Sequence, residues 1–374
     1  MPERTDRPTT LPPGCEPACP GCRHRTLAAS ESLAQKAAHL ERTLSAWADR
    51  LAPVLPAPAR LGYRERVSLN ASWQASLCWR FGLVRHRDRK DEFIAVPDCP
   101  VHAPAVNRAL AELGRVLPPP PGFPLAFVAV SGRQLTLIVK ARTSETPWAK
   151  ALAPKLKDLG FEGLWLHCHP AAGRRLFGRS GWTLVWGEPR SRDRHGSLYG
   201  PTAFSQAQPE LHADALSAMH RHLGPGPGTL FVDLYCGTGK SLAAAAASGA
   251  AAVGVELSGE AVACAQENAP GALLLRGACS LRRPQLDSFI AERPGLRLLL
   301  AMNPPRSGLE PQVRSWVARL APERAAYLSC SAGTLARDLG ELEAAGLRVE
   351  RILSYDFFPL THHVEALALL SRAA

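Results

Sequence analysis

At 374 residues and 46% hydrophobic content the chain exceeds one ordinary domain and can bury a sizeable core, so two or three domains are expected. Forty-four Lys and Arg against 33 Asp and Glu leave a net charge of +11, which admits a polyanionic partner. The polar opening MPERTDRPTTLPPG holds no apolar signal segment, and no run reaches the roughly 18 to 20 apolar residues of a membrane span, so the ten cysteines are expected as reduced thiols of a soluble, cytoplasmic protein.

In chain order, residues 1–26 form a head rich in proline and cysteine. LAASESLAQKAAHLERTLSAWADRL (27–51) then has the apolar spacing of an amphipathic helix, stopped by Pro53, Pro56 and Pro58. From 60 to 200 the pattern is mixed α+β: FPLAFVAV and QLTLIVK read as strands, and WAKALAPKLKDLG as a helix. Two basic segments here, WRFGLVRHRDRK (79–90) and GRRLFGRSGW (173–182), interleave arginines with aromatics. That suits phosphate contacts alternating with base stacking, but a solvated strand edge is the commoner meaning of such a charge run.

After residue 225 strands and helices alternate. The strand-like runs are TLFVDLY (229–235), AAVGVEL (251–257), ALLLRG (272–277), LRLLLAM (296–302), RAAYLSC (324–330), LRVERILSY (347–355) and VEALALL (364–370). Helical segments separate the first six, which predicts a parallel sheet, and only a loop separates the last two, which inserts the final strand antiparallel. The fold class is α/β: a Rossmann-like, seven-stranded class I methyltransferase domain over 201–374, behind a cysteine-rich head and helix over 1–59 and a mixed central domain over 60–200.

The first of these strands runs into Cys236-Gly237-Thr238-Gly239, a turn whose glycines let a ligand approach the backbone. Glu256, 19 residues after Gly237, ends the second strand, where a carboxylate accepts hydrogen bonds from ribose hydroxyls. A dinucleotide fold wants a third glycine where Leu242 stands, a loss that matters less to S-adenosylmethionine, which has no pyrophosphate. An ordinary tight turn and a surface carboxylate explain these residues equally well. The fourth strand ends in Asn303-Pro304-Pro305-Arg306. Amino-group methyltransferases place an aromatic after Asn-Pro-Pro to stack on a flipped adenine, so Arg306 argues against adenine N6.

The fifth strand delivers Ser329-Cys330-Ser331 to the same edge, and the loop from Pro359 to Glu365 follows. Methylating a uracil C5 needs one thiolate to add at C6 and one base to remove the C5 proton, and Cys330 with Glu365 supplies that minimum. Taken singly, a strand-end cysteine is more often a small buried hydrophobe, and Glu365 reads equally as a surface charge.

Four motifs, DLYCGTG, NPPRSGL, YLSCSAGTLARDL and DFFPLTHHVE, occur in the order in which they stand in the RNA 5-methyluridine methyltransferases, and the chain after about residue 200 resembles that family. The resemblance implies that Cys330 is the nucleophile and Glu365 the base. It implies that Gln206, Tyr235, Gly237, Glu256 and Asn303 bind S-adenosylmethionine, and that the substrate is RNA. The family's common Asp is Asn303 here, and Ser331, Gln208, Lys240 and Ala278 also depart from its usual pattern.

Cys15, Cys19 and Cys22 bring three thiols close in sequence, with Cys99 as a fourth. On spacing alone zinc comes first among their ligands; the resemblance implies a [4Fe-4S] cluster instead. Cys78, Cys168, Cys264 and Cys279 read as structural. The chain reaches its cysteine head without space for the small β-barrel that many members carry first, which resembles the 23S ribosomal RNA branch. The alternatives are a transfer RNA uridine-C5 enzyme, against which the cysteine head argues, a cytosine-C5 enzyme, which the TLARDL and Glu365 contexts do not fit, and a non-catalytic iron-sulfur RNA-binding protein. Nothing in the sequence predicts a protein partner.

Overall fold

The computed structural model describes residues 11–74, 77–87, 90–173, 175–204 and 206–373, in two compact units. One joins the segment ending at Ala28 to Ala59–Ala207, and the other joins Ala29–Pro58 to the chain from Gln208 onward. The boundaries expected near 59 and 200 are redrawn accordingly, because the helix after the cysteine head belongs with the C-terminal unit. Burial is the reason: Ser32, Lys36 and Leu40 form a buried stripe on helix Ala29–Thr43, and Leu40, Leu44 and Trp47 join that unit's core.

The first unit is a seven-stranded sheet ordered Lys90–Ala95, Cys78–Arg87, Arg66–Gln74, Leu125–Ser131, Gln134–Val139, Gly163–Cys168, Trp182–Gly187. Its one parallel pair is Gln134–Val139 with Gly163–Cys168, between which helix Ala149–Asp158 carries the chain back. That helix and Pro104–Val116 pack into the sheet's main core through Leu110, Leu113, Leu152 and Leu156.

Strand alternation settles half of the basic segment at 79–90. Trp79 and Phe81 are only 4% and 5% exposed and belong to the core, so the aromatics there do not stack on bases, while Arg80 between them is exposed. Arg85 is paired with Glu92 at 2.6 Å. Residues 88 and 89 lie outside the described residues. In the second basic segment Trp182 stacks on His167 at 4.0 Å and Phe177 packs toward Ile138; Arg174 lies outside the described residues.

The second unit is an eight-stranded sheet ordered Leu51–Leu55, Leu347–Tyr355, Glu365–Arg372, Arg324–Ser329, Arg297–Met302, Thr229–Leu234, Ala251–Glu256, Leu273–Arg276. The last-formed strand, Glu365–Arg372, is antiparallel to both neighbours. The eighth strand corrects the expected seven: Leu51–Leu55 pairs parallel with Leu347–Tyr355 at the edge. Pro53 lies inside it, which an edge strand tolerates because the missing N–H can face away from the ladder. No helix among the described residues is long and apolar enough to cross a membrane.

Candidate active site

The parallel strands of the second unit end along one edge, where their loops gather. After Thr229–Leu234 the chain turns with positive φ at Tyr235 (62°), Gly237 (57°) and Gly239 (77°) before helix Lys240–Ala247 begins. Gly239 is also required by packing, since a Cβ there would lie 3.0 Å from the Ala265 Cβ. The Gly237 N–H donates to Glu256 Oε2 at 3.1 Å and the Ser258 N–H to Oε1 at 2.7 Å. Two backbone donors thus fix the Glu256 carboxylate at the tip of its strand, and each oxygen keeps a lone pair for a hydroxyl. The Asn303 N–H donates to the Leu234 carbonyl at 3.2 Å, which sets Asn303 beside the glycine turn.

Two expected cofactor residues differ from this group. Tyr235 packs its ring against the hydrophobic core, and burial pushes its phenol well above the ordinary range, so its backbone is what the turn presents. Gln206 is buried near the C-terminal boundary of the other unit. The sequence reading missed Asp233. It is 3% exposed with Oδ2 unpartnered, and burial together with the Glu256 carboxylate pushes its pKa up to about 8. A lone acid inside the apolar run TLFVDLY was the signal.

Cys330 and Glu365 are brought together by strand register. Ser329 pairs with Ala366 in the antiparallel ladder, so one step outward Cys330 comes opposite Glu365. Glu365 is 4% exposed and Cys330 is half-buried. Burial raises the Cys330 thiol above its ordinary pKa, the Glu365 carboxylate raises it further, and the Arg306 guanidinium opposes both.

Arg306 was unassigned by sequence, although a cation directly after Asn-Pro-Pro at the carboxyl edge was its signal. Its loop is tied to helix Ala332–Ala344: Thr334 Oγ1 donates to the Arg306 carbonyl at 3.2 Å, and the Leu309 N–H donates to Asp338 Oδ2 at 2.8 Å. Asp338 is fully buried and also accepts from the Tyr327 hydroxyl at 2.7 Å and from Arg337 at 2.7 Å. A Cβ at Gly308 would lie 2.5 Å from Asp338 Oδ2, so only glycine lets the loop sit this close. His363 Nε2 stands 3.5 Å from Arg306 Nη2.

The cysteine head lies in the first unit. Gly14, at φ +78°, runs so close to the Asp98 carbonyl that a Cβ would come within 2.4 Å of it, which brings Cys15 against the Asp98-Cys99 turn. Arg25 donates to the Cys19 carbonyl, and to that of Pro17 at 2.7 Å. Burial raises Cys15, Cys22 and Cys99, with Cys22 pushed up to about 11; neighbouring thiols add to each, and Arg25 or Arg64 opposes. All ten cysteines are among the described residues, and none forms a disulfide. Among the described residues no three His, Cys, Asp or Glu are grouped as a metal site, so the four thiols are a donor set rather than a formed ligand shell.

An open α/β sheet with this glycine turn, a carboxylate at the tip of the second strand and an antiparallel closing strand defines an S-adenosylmethionine-dependent methyltransferase. The family described as tRNA (Uracil-5-)-methyltransferase matches residues 296–373. The 23S rRNA (uracil(1939)-C(5))-methyltransferase RlmD of Thiobacillus denitrificans is 31% identical over 378 residues, covering 95% of this chain and 83% of its own. The 23S rRNA (uracil(747)-C(5))-methyltransferase RlmC of Xenorhabdus nematophila is 25% identical, covering 94% and 96%. The Pyrococcus abyssi tRNA (uracil-54, C5)-methyltransferase, solved with S-adenosyl-L-homocysteine, shares the fold at a TM-score of 0.70 and 21% identity, over 95% of this chain and 86% of that one. The chain belongs to the RNA uracil-C5 methyltransferase family, and its chemistry is S-adenosylmethionine-dependent methylation of RNA at uracil C5.

Proposed function

We propose that this chain methylates a uridine of 23S ribosomal RNA through a covalent intermediate on Cys330, with Glu365 as the base. The observation that carries the mechanism is the ladder register that brings Cys330 opposite Glu365, one step beyond the Ser329–Ala366 pair, with the Arg306 guanidinium favouring the thiolate. The choice of RNA is supported by the 23S enzymes among the relatives. The Cys330 sulfur bonds to uracil C6, and the electron pair driven onto C5 attacks the sulfonium methyl carbon, releasing S-adenosylhomocysteine. Glu365 then takes the C5 proton, the C6–S bond breaks, and the thiolate leaves as the C5–C6 double bond returns. Arg306 favours the anionic sulfur both when it attacks and when it departs.

Glu256 accepts from the ribose hydroxyls, the Gly237 turn and Tyr235 backbone give close approach, and Asn303 completes the cofactor contacts. The donor set of Cys15, Cys19, Cys22 and Cys99 suits a [4Fe-4S] cluster: four soft sulfurs, with Arg25 and Arg64 favouring their thiolates. Such a cluster would cross-link the head to the Asp98-Cys99 turn; zinc accepts the same donors. Exposed basic residues of the first unit, Arg80 among them, supply phosphate contacts. Ten cysteines outside any disulfide suit a reducing cytoplasm.

The test offers wild type and Glu365→Gln unmodified 23S rRNA and unmodified tRNA transcripts with methyl-labelled S-adenosylmethionine. Wild type should label the 23S transcript, and Glu365→Gln should leave a labelled protein–RNA band on a denaturing gel. Label confined to tRNA would refute the ribosomal substrate, and a variant that leaves no adduct would refute Glu365 as the base.

A further inference from the structure

The apolar stripe of helix Ala29–Thr43 carries a charge. Lys36, on the same face as Ser32 and Leu40, is 1% exposed, and its Nζ lies 2.5 Å from Asp356 Oδ1 and 3.2 Å from the Phe358 carbonyl. A buried ammonium on a helix face that could have held leucine is costly to desolvate, and replacing such a pair by apolar residues is often neutral or stabilising. Stability alone is therefore a weak reason for it. What the ammonium grips is the loop that ends at Glu365.

The grip acts at the start of that loop and is passed along it by hydrogen bonds. Asp356 follows Tyr355, and Tyr355 is the ladder partner of Glu365. The Asp356 N–H donates to the Leu55 carbonyl at 2.9 Å, tying it to the edge strand that continues from the same N-terminal segment. The Phe358 carbonyl accepts from Lys36 and also from Thr361 Oγ1 at 2.7 Å, and Thr361 Oγ1 in turn accepts the His363 N–H at 3.2 Å. Leu360, at φ +65°, turns the chain between them. Two residues beyond His363 stands Glu365, with Cys330 opposite.

We infer that Lys36 is a positioning residue for the proton-abstracting step: from 329 residues upstream it fixes the 356–361 turn, and so the place of Glu365 against the uracil C5. This rests on the proposed role of Glu365 as the base. Its signature follows from the order of steps, because methyl transfer precedes proton removal. A protein that loses the grip should still bind cofactor, add and methylate, and then release product slowly.

The experiment compares wild type, Lys36→Arg, Lys36→Met, the double variant Lys36→Met/Asp356→Leu, and Glu365→Gln, on the transcript that wild type methylates. The double variant replaces the ion pair by an apolar pair of similar volume, so it keeps the fold testable if Lys36→Met alone unfolds. Expected for the double variant is a thermal midpoint near wild type, an unchanged KM for S-adenosylmethionine, a kcat at least about tenfold lower, and a labelled protein–RNA band on a denaturing gel. Lys36→Arg, which keeps the charge, should recover part of the lost turnover. Wild-type kcat with no trapped band in the folded double variant would overturn the inference. A band with Glu365→Gln but none with the double variant would also overturn it. No band even with Glu365→Gln would overturn the base assignment, and with it an inference that rests on it.

Discussion

Two groups of thiols in this chain differ in what surrounds them. Burial raises Cys330 in the second unit and Cys15, Cys22 and Cys99 in the first. Around Cys330 the charged neighbours are one acid and one base, Glu365 and Arg306. Around the head thiols they are one arginine, Arg25 or Arg64, and the other thiols of the head. In the proposed mechanism a single sulfur flanked by an acceptor and a cation gains and loses a carbon substituent, whereas several sulfurs that raise one another would be relieved by a shared cation. The direction of a pKa shift does not separate the two; its cause does.

The largest effect expected from breaking the contrast is at Cys330. Cys330→Ala should lose turnover by at least about 10⁴-fold and form no RNA adduct, while S-adenosylmethionine binding by calorimetry stays within about twofold. Arg306→Met comes next. It removes the one cation opposing burial and Glu365, so the folded-state thiol pKa rises further, the alkaline rise of the pH–rate profile moves to higher pH, and turnover falls by about 10²-fold. An unmoved profile would show that Arg306 does not act on the sulfur.

A head variant should do the opposite. Cys22→Ser is expected to remove visible iron-sulfur absorbance from anaerobically purified protein, yet leave the alkylation rate of Cys330 by iodoacetamide unchanged. Colour retained in Cys22→Ser would break the assignment of four equivalent ligands.

The smallest effect concerns a third kind of thiol. Cys236 is raised by burial and then by two acids, Asp233 and Glu256, and should resist alkylation. Asp233, pushed up to about 8 from an ordinary 3.8, stays protonated in the folded protein while the unfolded chain ionises. Stability should therefore fall as pH rises between about 4 and 8, at no more than about 1.4 kcal/mol per unit, and level off above. Asp233→Asn should flatten that slope in thermal melts taken across this range.

The sequence by itself determined the alternation of strands and helices and the glycine turn, and it offered Glu256, Cys330 and Glu365 as candidates. These are local: periodicity, glycine placement and the chemistry that uracil C5 demands. It also showed that Glu365–Arg372 would enter antiparallel, since a short loop cannot carry a parallel crossover. Only the tertiary structure decided the rest, because register and burial depend on partners far away in the chain. The step that sets Cys330 opposite Glu365 is a ladder register. Trp79 and Phe81 looked available for stacking until the strand turned them into the core. The segment 29–58 read as part of the head until Leu40 and Leu44 found their burial in the other unit, where Pro53 sits in an edge strand and Lys36 reaches Asp356. A lysine at a helical core position is visible in the sequence, but its partner 320 residues on is not, because only folding brings two such charges to 2.5 Å.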